Sequence, residues 1–168
     1  RIGELKPGLQ VIFLMRDPVD RTWSNVNMRI RGYGRTYERL SADDLKAELA
    51  HPNVRAHSDY LGTLDTWEAV FPKGQIHVDF FDRIAHEPHA FLHDLCRFLG
   101  VAYDPAYFAN VTQKVYPGSG RDMPDWVRAQ LVAEYGEQIR ELSRRYGAYP
   151  RSWARLHGLD VPASQETG

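Results

Sequence analysis

Two short segments of the chain have the hydrophobic pattern of β-strands. The first, residues 11–15, is a continuous apolar run of Val-Ile-Phe-Leu-Met, which is typical of a strand buried on both faces. The second, residues 75–81, alternates apolar side chains with polar ones and follows a Phe-Pro-Lys-Gly turn. The pattern therefore predicts two strands, with enough chain between them for helical connections.

Between and after these strands, apolar residues recur at spacings of three and four, the period of a helix that packs along one face. Ser41 and Asp44 have the spacing of a capping box, which opens a short helix. Longer helices are predicted over residues 18–31, over 60–71, over 88–99 with Gly100 as their stop, and from Pro124 to Gly147 as the final helix of the chain.

Strands that alternate with helices predict an α/β domain with parallel strands. Two buried parallel strands do not make a self-sufficient sheet, so either further strands escape the pattern or part of the domain lies outside this chain, and we favour the second interpretation. We expect residues 1–158 to belong to the domain. Residues 159–168, where hydrophobicity falls, are expected to form a frayed tail.

Composition narrows the class of protein. The chain has 168 residues, 43% of them hydrophobic and 26% charged, which is ordinary for a globular domain. Its 21 basic and 22 acidic residues give a formal charge of -1, which argues against a nucleic-acid coat or a polybasic membrane binder. No apolar run approaches the roughly 18 residues of a membrane span. One cysteine and seven histidines without zinc-site spacing predict no disulfide and no metal.

The most informative stretch comes directly after the first strand. Polarity changes abruptly at Arg16-Asp17-Pro18, where Asp17 suits a helix N-cap and Pro18 suits the first helical position. A helix that starts there attracts anions beyond the carboxyl end of the strand. Arg21 and Ser24 share the polar face of that helix, and a guanidinium with a hydroxyl suits phosphate oxygens. An exposed Arg21–Asp17 ion pair is the simpler alternative.

The segment VIFLMRDPVDRTWS resembles the 3′-phosphate-binding motif of sulfotransferases that use 3′-phosphoadenosine 5′-phosphosulfate (PAPS). In that family a strand is followed by Arg-[Asn/Asp]-Pro-x-[Asp/Glu]-Arg-x-x-Ser, and each of these positions is matched here. The resemblance implies a P-loop NTPase-like fold, a parallel sheet flanked by helices and incomplete at its N-terminal side. It also implies that Arg16 and Ser24 bind the 3′-phosphate, with Arg21 in the same cofactor-binding set.

Two later segments are similar to the same family. Residues 58–101 resemble a region in which a Ser/Gly-x-Tyr opens a helix that ends in Trp-x-x-x-Phe-Pro, ahead of a strand and a further helix. By that match Tyr60 lies near the nucleotide base, although Tyr60 also starts an apolar stripe and a core position is the alternative. Residues 114–121 occupy the place of a basic loop over the nucleotide phosphates, with an ordinary solvated loop as the alternative. The candidate contacts there are Lys114, Gly118, Ser119 and Arg121.

The resemblance implies an enzyme that moves a sulfuryl group from PAPS to an acceptor hydroxyl or amine, leaving 3′-phosphoadenosine 5′-phosphate (PAP). The acceptor is expected to be a glycan, because the segments SDY and FPKGQI are closer to glycan sulfotransferases than to those of small phenols. The family's 5′-phosphosulfate loop and catalytic base precede the Arg-x-Pro motif, and neither is identifiable before Arg16. The chain is therefore expected to correspond to about the C-terminal two thirds of the family domain, by the same resemblance.

Two other classes of function remain open. A kinase-like nucleotide-binding enzyme of the same fold would prefer ATP with magnesium. A non-enzymatic module could bind polyanions through residues 29–39, where arginines alternate with tyrosines, although a solvated loop with cation–π pairs is the simpler interpretation. We expect no nucleic-acid partner. A single cysteine and no visible signal segment favour a cytoplasmic enzyme, with a luminal domain of a membrane-anchored enzyme as the alternative.

Overall fold

The computed structural model describes residues 8–113 and 121–161. These residues fall into two compact units. The first contains residues 8–16 and 62–113, and the second contains the rest. The mixture of a parallel strand pair with many helices confirms the predicted α/β class.

The strands are β1 (Val11–Met15) and β2 (Ile76–Phe80). The helices of the described residues, in chain order, are α1 (Pro18–Gly32), α2 (Ala42–Leu49), α3 (Pro52–Ser58), α4 (Tyr60–Glu68), α5 (Phe81–His86), α6 (Pro88–Leu99), α7 (Asp125–Tyr146) and α8 (Ala148–Leu156). Two short 3₁₀ turns lie at Tyr37–Arg39 and Pro105–Phe108.

The first unit is built on the parallel pair of β1 and β2. Val11 is opposite Ile76 and Met15 is opposite Phe80, so the strands are in register along their whole length. Met15 is fully buried, whereas Ile12 is 42% exposed, so the prediction that β1 is buried on both faces is wrong. An apolar run shows that both faces of a strand can be buried, but it does not show that other elements pack against both faces.

Helices α5 and α6 follow β2 in the first unit, which also contains residues 62–68 of α4. The predicted second strand is one residue too long at each end, because Phe81 already begins α5. Helix α6 starts at Pro88 and ends at Gly100, as predicted, and Gly100 adopts a left-handed conformation with φ of 72°. Glycine reaches that conformation without the steric penalty of a Cβ, which is why the helix stops there.

The second unit is helical. Helix α1 packs against α2, α3 and α7, and α7 packs against α8. The apolar stripe predicted for α1 forms the centre of this packing, with Val19, Val26 and Ile30 fully buried. The facing residues of the other helices that are buried include Leu49, Val54, Leu131, Ile139, Leu142 and Trp153.

The C-terminal end of the chain differs from the prediction. Helix α7 ends at Gly147 as expected, but it is not the final helix, because α8 begins at the next residue. Beyond α8, the side chain of Leu159 lies against Gly136 of α7. Of the predicted tail, residues 162–168 lie outside the described residues, and the boundary at residue 158 stays a prediction.

Membrane-spanning helices and metal-binding clusters are both absent from residues 8–113 and 121–161. Within them, no helix combines the length and the apolar character needed to cross a lipid bilayer. Nor do those same residues contain a group of three or more histidine, cysteine or acidic side chains arranged to hold a metal ion.

Candidate functional site

The turn between β1 and α1 has the geometry that its sequence predicts. Only Arg16 and Asp17 separate the end of β1 from Pro18, the first residue of α1. Asp17 is the N-cap, and its Oδ1 accepts a hydrogen bond of 2.9 Å from the backbone N–H of Val19. Pro18 has no backbone N–H, and an N–H at the first helical position would have no acceptor within the helix. The helix therefore starts with its free N–H groups immediately after the strand.

Asp17 is buried rather than exposed. It is 4% exposed, and its Oδ2 lies 2.7 Å from Nε2 of His157, whose side chain has no exposed surface. The alternative of an exposed Arg21–Asp17 pair is therefore wrong. Arg21 instead donates from Nε to the carbonyl oxygen of His57 at 2.7 Å, near the end of α3, where the helix dipole favours a cation.

Ser24 lies two turns into α1, on the helix face opposite Val26 and Ile30. It is half-buried, and its hydroxyl has no hydrogen-bond partner among the described residues. The hydroxyl is therefore free to bond to a ligand. Ser24 and Arg21 belong to one helix of the second unit, whereas Arg16 is the last residue of the first unit's N-terminal segment.

Arg16 is held by an aromatic ring that no pattern in the sequence singles out. Its guanidinium carbon lies 5.5 Å from the ring centroid of Phe81, the first residue of α5. A cation–π contact of this kind is worth about 0.5–1 kcal/mol at a partly exposed position. It restricts the guanidinium to the carboxyl end of the strands, because Phe81 comes directly after β2.

Tyr60 occupies a buried position. Its side chain is in the core, with the residue 1% exposed, and its backbone N–H donates to Oε1 of Gln138 at 2.9 Å. Gln138 also donates from Nε2 to the carbonyl of Ser58 at 2.8 Å, so one amide joins the end of α3 to the start of α4. This is the core position named above as the alternative; the contact with a nucleotide base stays a prediction.

Arg121 lies beside α1 and the turn after it. Its guanidinium carbon is 4.9 Å from the ring centroid of Tyr37, and its Nη1 is 3.5 Å from Oε1 of Glu38. Its carbonyl accepts a 2.8 Å hydrogen bond from the indole of Trp23. Burial raises the pKa of the Tyr37 phenol, so this ring stays neutral under the cation. The other candidates of that loop, Lys114, Gly118 and Ser119, lie outside the described residues.

Beneath α1 lies a buried cluster of hydroxyls. Thr22 Oγ1 is 2.8 Å from Ser58 Oγ and 3.2 Å from the hydroxyl of Tyr135 on α7. Burial raises the pKa of Tyr135, so the phenol stays neutral and accepts the hydrogen bond from Thr22. The cluster fixes α1 against α3 and α7 and leaves the opposite face of α1 to Ser24.

The arginines near the end of α1 and after it are partly neutralised. Arg29 Nε and Arg35 Nη1 each lie 3.0 Å from Glu48, and Arg35 Nη2 lies 3.1 Å from Asp44. Arg29 also lies over the ring of Tyr33 at 5.5 Å. Residues 29–32 thus belong to α1 rather than to a loop, whereas the cation–π pairing of the simpler interpretation is present, and the ion pairs reduce the charge left for a polyanion.

The parallel strand pair and the helices that follow it place the chain in the α/β class. The model of the sulfotransferase family matches residues 1–105, and the chain belongs to this family. No curated protein matches the sequence.

Among solved structures, the chain is similar to a sulfotransferase from Alicyclobacillus acidocaldarius, with a TM-score of 0.65 and 23% sequence identity. The likeness covers 92% of this chain and 61% of the other, so the chain spans less than two thirds of that protein's length. At this identity the likeness shows the fold. The family match contains Arg16, Arg21, Ser24 and Tyr60, whereas Arg121 and His157 lie outside it.

Proposed function

We propose that this chain is part of an enzyme that transfers a sulfuryl group from PAPS to an acceptor hydroxyl or amine. In this reaction a bond forms between the acceptor oxygen or nitrogen and sulfur, and the bond from sulfur to the 5′-phosphate oxygen breaks. The acceptor proton passes to a base, and PAP leaves. Positioning and neutralisation of the leaving phosphate carry most of the catalysis in such transfers.

The observation that carries the proposal is the complete motif on the turn between β1 and α1. Arg16, at the end of the strand, supplies a fixed, permanently charged planar donor. Ser24 supplies a hydroxyl that no described residue occupies. Both types of donor suit the dianionic 3′-phosphate, which distinguishes PAPS and PAP from AMP. We therefore propose that the motif recognises the 3′-phosphate. Its residues bind the nucleotide and take no part in the transfer step.

The acceptor class is proposed from resemblance. The segments Ser58–Tyr60 and 71–76 are more similar to those of glycan sulfotransferases than to those of enzymes acting on small phenols. A carbohydrate hydroxyl or amine is therefore the first acceptor to test. Transfer of radiolabelled sulfate to a glycan panel, compared with a phenol panel, measures this directly.

The proposed donor is tested by calorimetric titration with PAP, with AMP as the ligand that lacks the 3′-phosphate. We expect PAP to bind at least about tenfold more tightly, because a charged hydrogen bond contributes roughly 1.5–3 kcal/mol. Arg16→Ala should raise the dissociation constant of PAP by about one to two decades and leave that of AMP nearly unchanged.

The matched control is Arg39→Ala, which removes an exposed arginine outside the motif. It should leave both dissociation constants unchanged. Equal binding of PAP and AMP by the wild type would contradict recognition of the 3′-phosphate. A preference for ATP with magnesium would favour a kinase-like enzyme instead. An equal effect of the two arginine substitutions on PAP would show general attraction to the anion rather than a site at Arg16.

A further inference from the structure

An acidic residue sits in the middle of the proposed phosphate-binding motif. Asp17 lies between Arg16 and the helix that carries Ser24, and a free carboxylate there would repel a phosphate dianion. Such a repulsion persists at the effective dielectric of a protein site, which is well below that of water. Some feature of the protein must therefore compensate the charge of Asp17 if the motif is to bind an anion.

The structure provides that compensation. The backbone N–H of Val19 bonds to Oδ1 at 2.9 Å, and Nε2 of His157 lies 2.7 Å from Oδ2, so each carboxylate oxygen has a donor. The helix dipole of α1 adds a further favourable field. The side chains of Asp17 and His157 are 6% and 0% exposed, so water screens this contact little.

Among the described residues, this contact is the one hydrogen bond that orients the imidazole. Nδ1 of His157 is buried and has no hydrogen-bond partner within the described ranges. His157 caps the end of α8, where its backbone N–H bonds to the carbonyls of the preceding turn. Trp153, one turn earlier, is 2% exposed and anchors α8 in the core. The donor thus reaches Asp17 from a rigid element that is separate in sequence from the motif.

We propose that His157 is a positioning residue for the 3′-phosphate site, and the proposal rests on the function proposed above. By holding the Asp17 carboxylate, His157 keeps the first turn of α1 in place and prevents the Asp17 charge from opposing a bound phosphate. His157 does not touch the nucleotide, because its side chain has no exposed surface. It is not a candidate for the catalytic base for the same reason.

The experiment compares four variants of the full chain in calorimetric titrations with PAP and with AMP. His157→Phe keeps the ring volume and removes the donor, and His157→Gln retains an N–H donor at a similar distance. Asp17→Asn removes the charge while keeping a good helix cap. The double variant Asp17→Asn/His157→Phe removes the charge and its donor together.

We expect His157→Phe to raise the dissociation constant of PAP about tenfold and that of AMP less than about twofold, because only PAP carries the 3′-phosphate. His157→Gln should recover most of the lost affinity. The double variant should return to within about threefold of the wild type, because without the Asp17 charge no donor is needed. A residue with a merely structural role would change the dissociation constants of PAP and AMP to the same extent.

Amide hydrogen exchange of the first turn of α1, without nucleotide, separates this inference from the proposed function. We expect exchange there to be about tenfold faster in His157→Phe than in the wild type. A wild type that does not distinguish PAP from AMP overturns the 3′-phosphate site and this role with it. If the wild type distinguishes PAP from AMP, two results overturn the role of His157 alone. Either His157→Phe binds PAP as well as the wild type, or the double variant binds PAP no better than His157→Phe. Should His157→Phe alone fail to fold, the double variant is compared with the wild type: PAP binding within about threefold supports the role of His157, and a loss of about tenfold or more overturns it.

Discussion

The ion cluster around Arg83 offers a sharp test of the first unit. Its guanidinium lies between two carboxylates, with Nη1 2.8 Å from Oδ2 of Asp79 and Nη2 2.9 Å from Oδ2 of Asp94. Asp79 is on β2 and is 3% exposed, whereas Asp94 is on α6. Arg83→Met keeps an apolar stem of similar length and removes the charge that both carboxylates face.

The size of the effect depends on the partners that Asp79 retains. Its Oδ1 still accepts a hydrogen bond of 2.7 Å from the N–H of Phe80. His77 Nε2 lies 3.3 Å from its Oδ2 without forming a hydrogen bond, so His77 does not replace the donor that Arg83 supplies. Removing one partner of a fully buried ion pair costs about 3–5 kcal/mol. Because the Arg83 side chain is 16% exposed, we expect a lower figure of about 2–3 kcal/mol.

The matched control is Arg97→Met. Arg97 contacts the same Asp94 at 3.0 Å but is 75% exposed, so its removal should cost less than about 1 kcal/mol. In thermal unfolding followed by circular dichroism, Arg83→Met should lower Tm by about 4–12 °C, at roughly 2–4 °C per kcal/mol for a chain of this length. Equal losses in the two variants would refute the argument from burial, as would a change below about 2 °C in Arg83→Met.

The difference in Tm between the wild type and Arg83→Met should be smaller at acidic pH. The hydrogen bond from Arg83 lowers the pKa of Asp94, and the charges of Arg83 and Arg97 act in the same direction. A carboxylate with a lowered folded-state pKa stabilises the fold at pH above its ordinary value, and this contribution is lost as the pH falls through the lower value. The difference in Tm between wild type and Arg83→Met should therefore be full near neutral pH and shrink below about pH 4.

Three further substitutions test single positions, with Gly32→Ala as the control for Gly100→Ala. Gly100→Ala should lower the free energy of unfolding by about 1 kcal/mol, because Gly100 has a φ of 72°, whereas Gly32→Ala should not destabilise; urea unfolding measures both. Thr22→Val, which preserves shape, should cost about 1–3 kcal/mol in the same assay, because it leaves the buried hydroxyls of Ser58 and Tyr135 short of a partner. Equal effects of the two glycine substitutions, or a neutral Thr22→Val, would contradict these assignments.

Helix boundaries that depend on neighbouring residues can be predicted from the sequence. The cap at Asp17-Pro18, the capping box of Ser41 and Asp44, and the stop at Gly100 all involve groups within three or four positions of one another. The chemistry of such signals is complete within a single turn. Each of these boundaries is confirmed for that reason.

Gly147 shows where a local signal becomes ambiguous. Its φ of 70° ends α7 as predicted, but the same glycine precedes the first residue of α8. A stop signal marks the end of one helix and carries no information about the residues beyond it. Helix α8 is short, and its buried residues Pro150, Trp153 and Ala154 are apolar on one face only, a pattern that an unstructured tail can also contain.

Contacts across long stretches of chain are not predictable in this way. Phe81 under Arg16 and His157 on Asp17 are separated from their partners by 65 and 140 positions, and no periodicity links them. Histidine is common on surfaces and in cores, so its presence near the end of a chain carries no signal by itself. Only the packing of α8 brings this imidazole to the start of α1.

The motif and the donor that compensates the charge of Asp17 therefore lie in different parts of the chain. The family pattern accepts asparagine or aspartate at the position of Asp17, and both side chains cap a helix about equally well. They differ in charge, and therefore a carboxylate repels a phosphate whereas a neutral amide does not. His157, which lies beyond the residues that match the family model, is needed only for the acidic choice. A motif can thus be complete in sequence while its ability to bind an anion is decided by a donor outside it, and the Asp17→Asn/His157→Phe pair of substitutions measures that dependence in one protein.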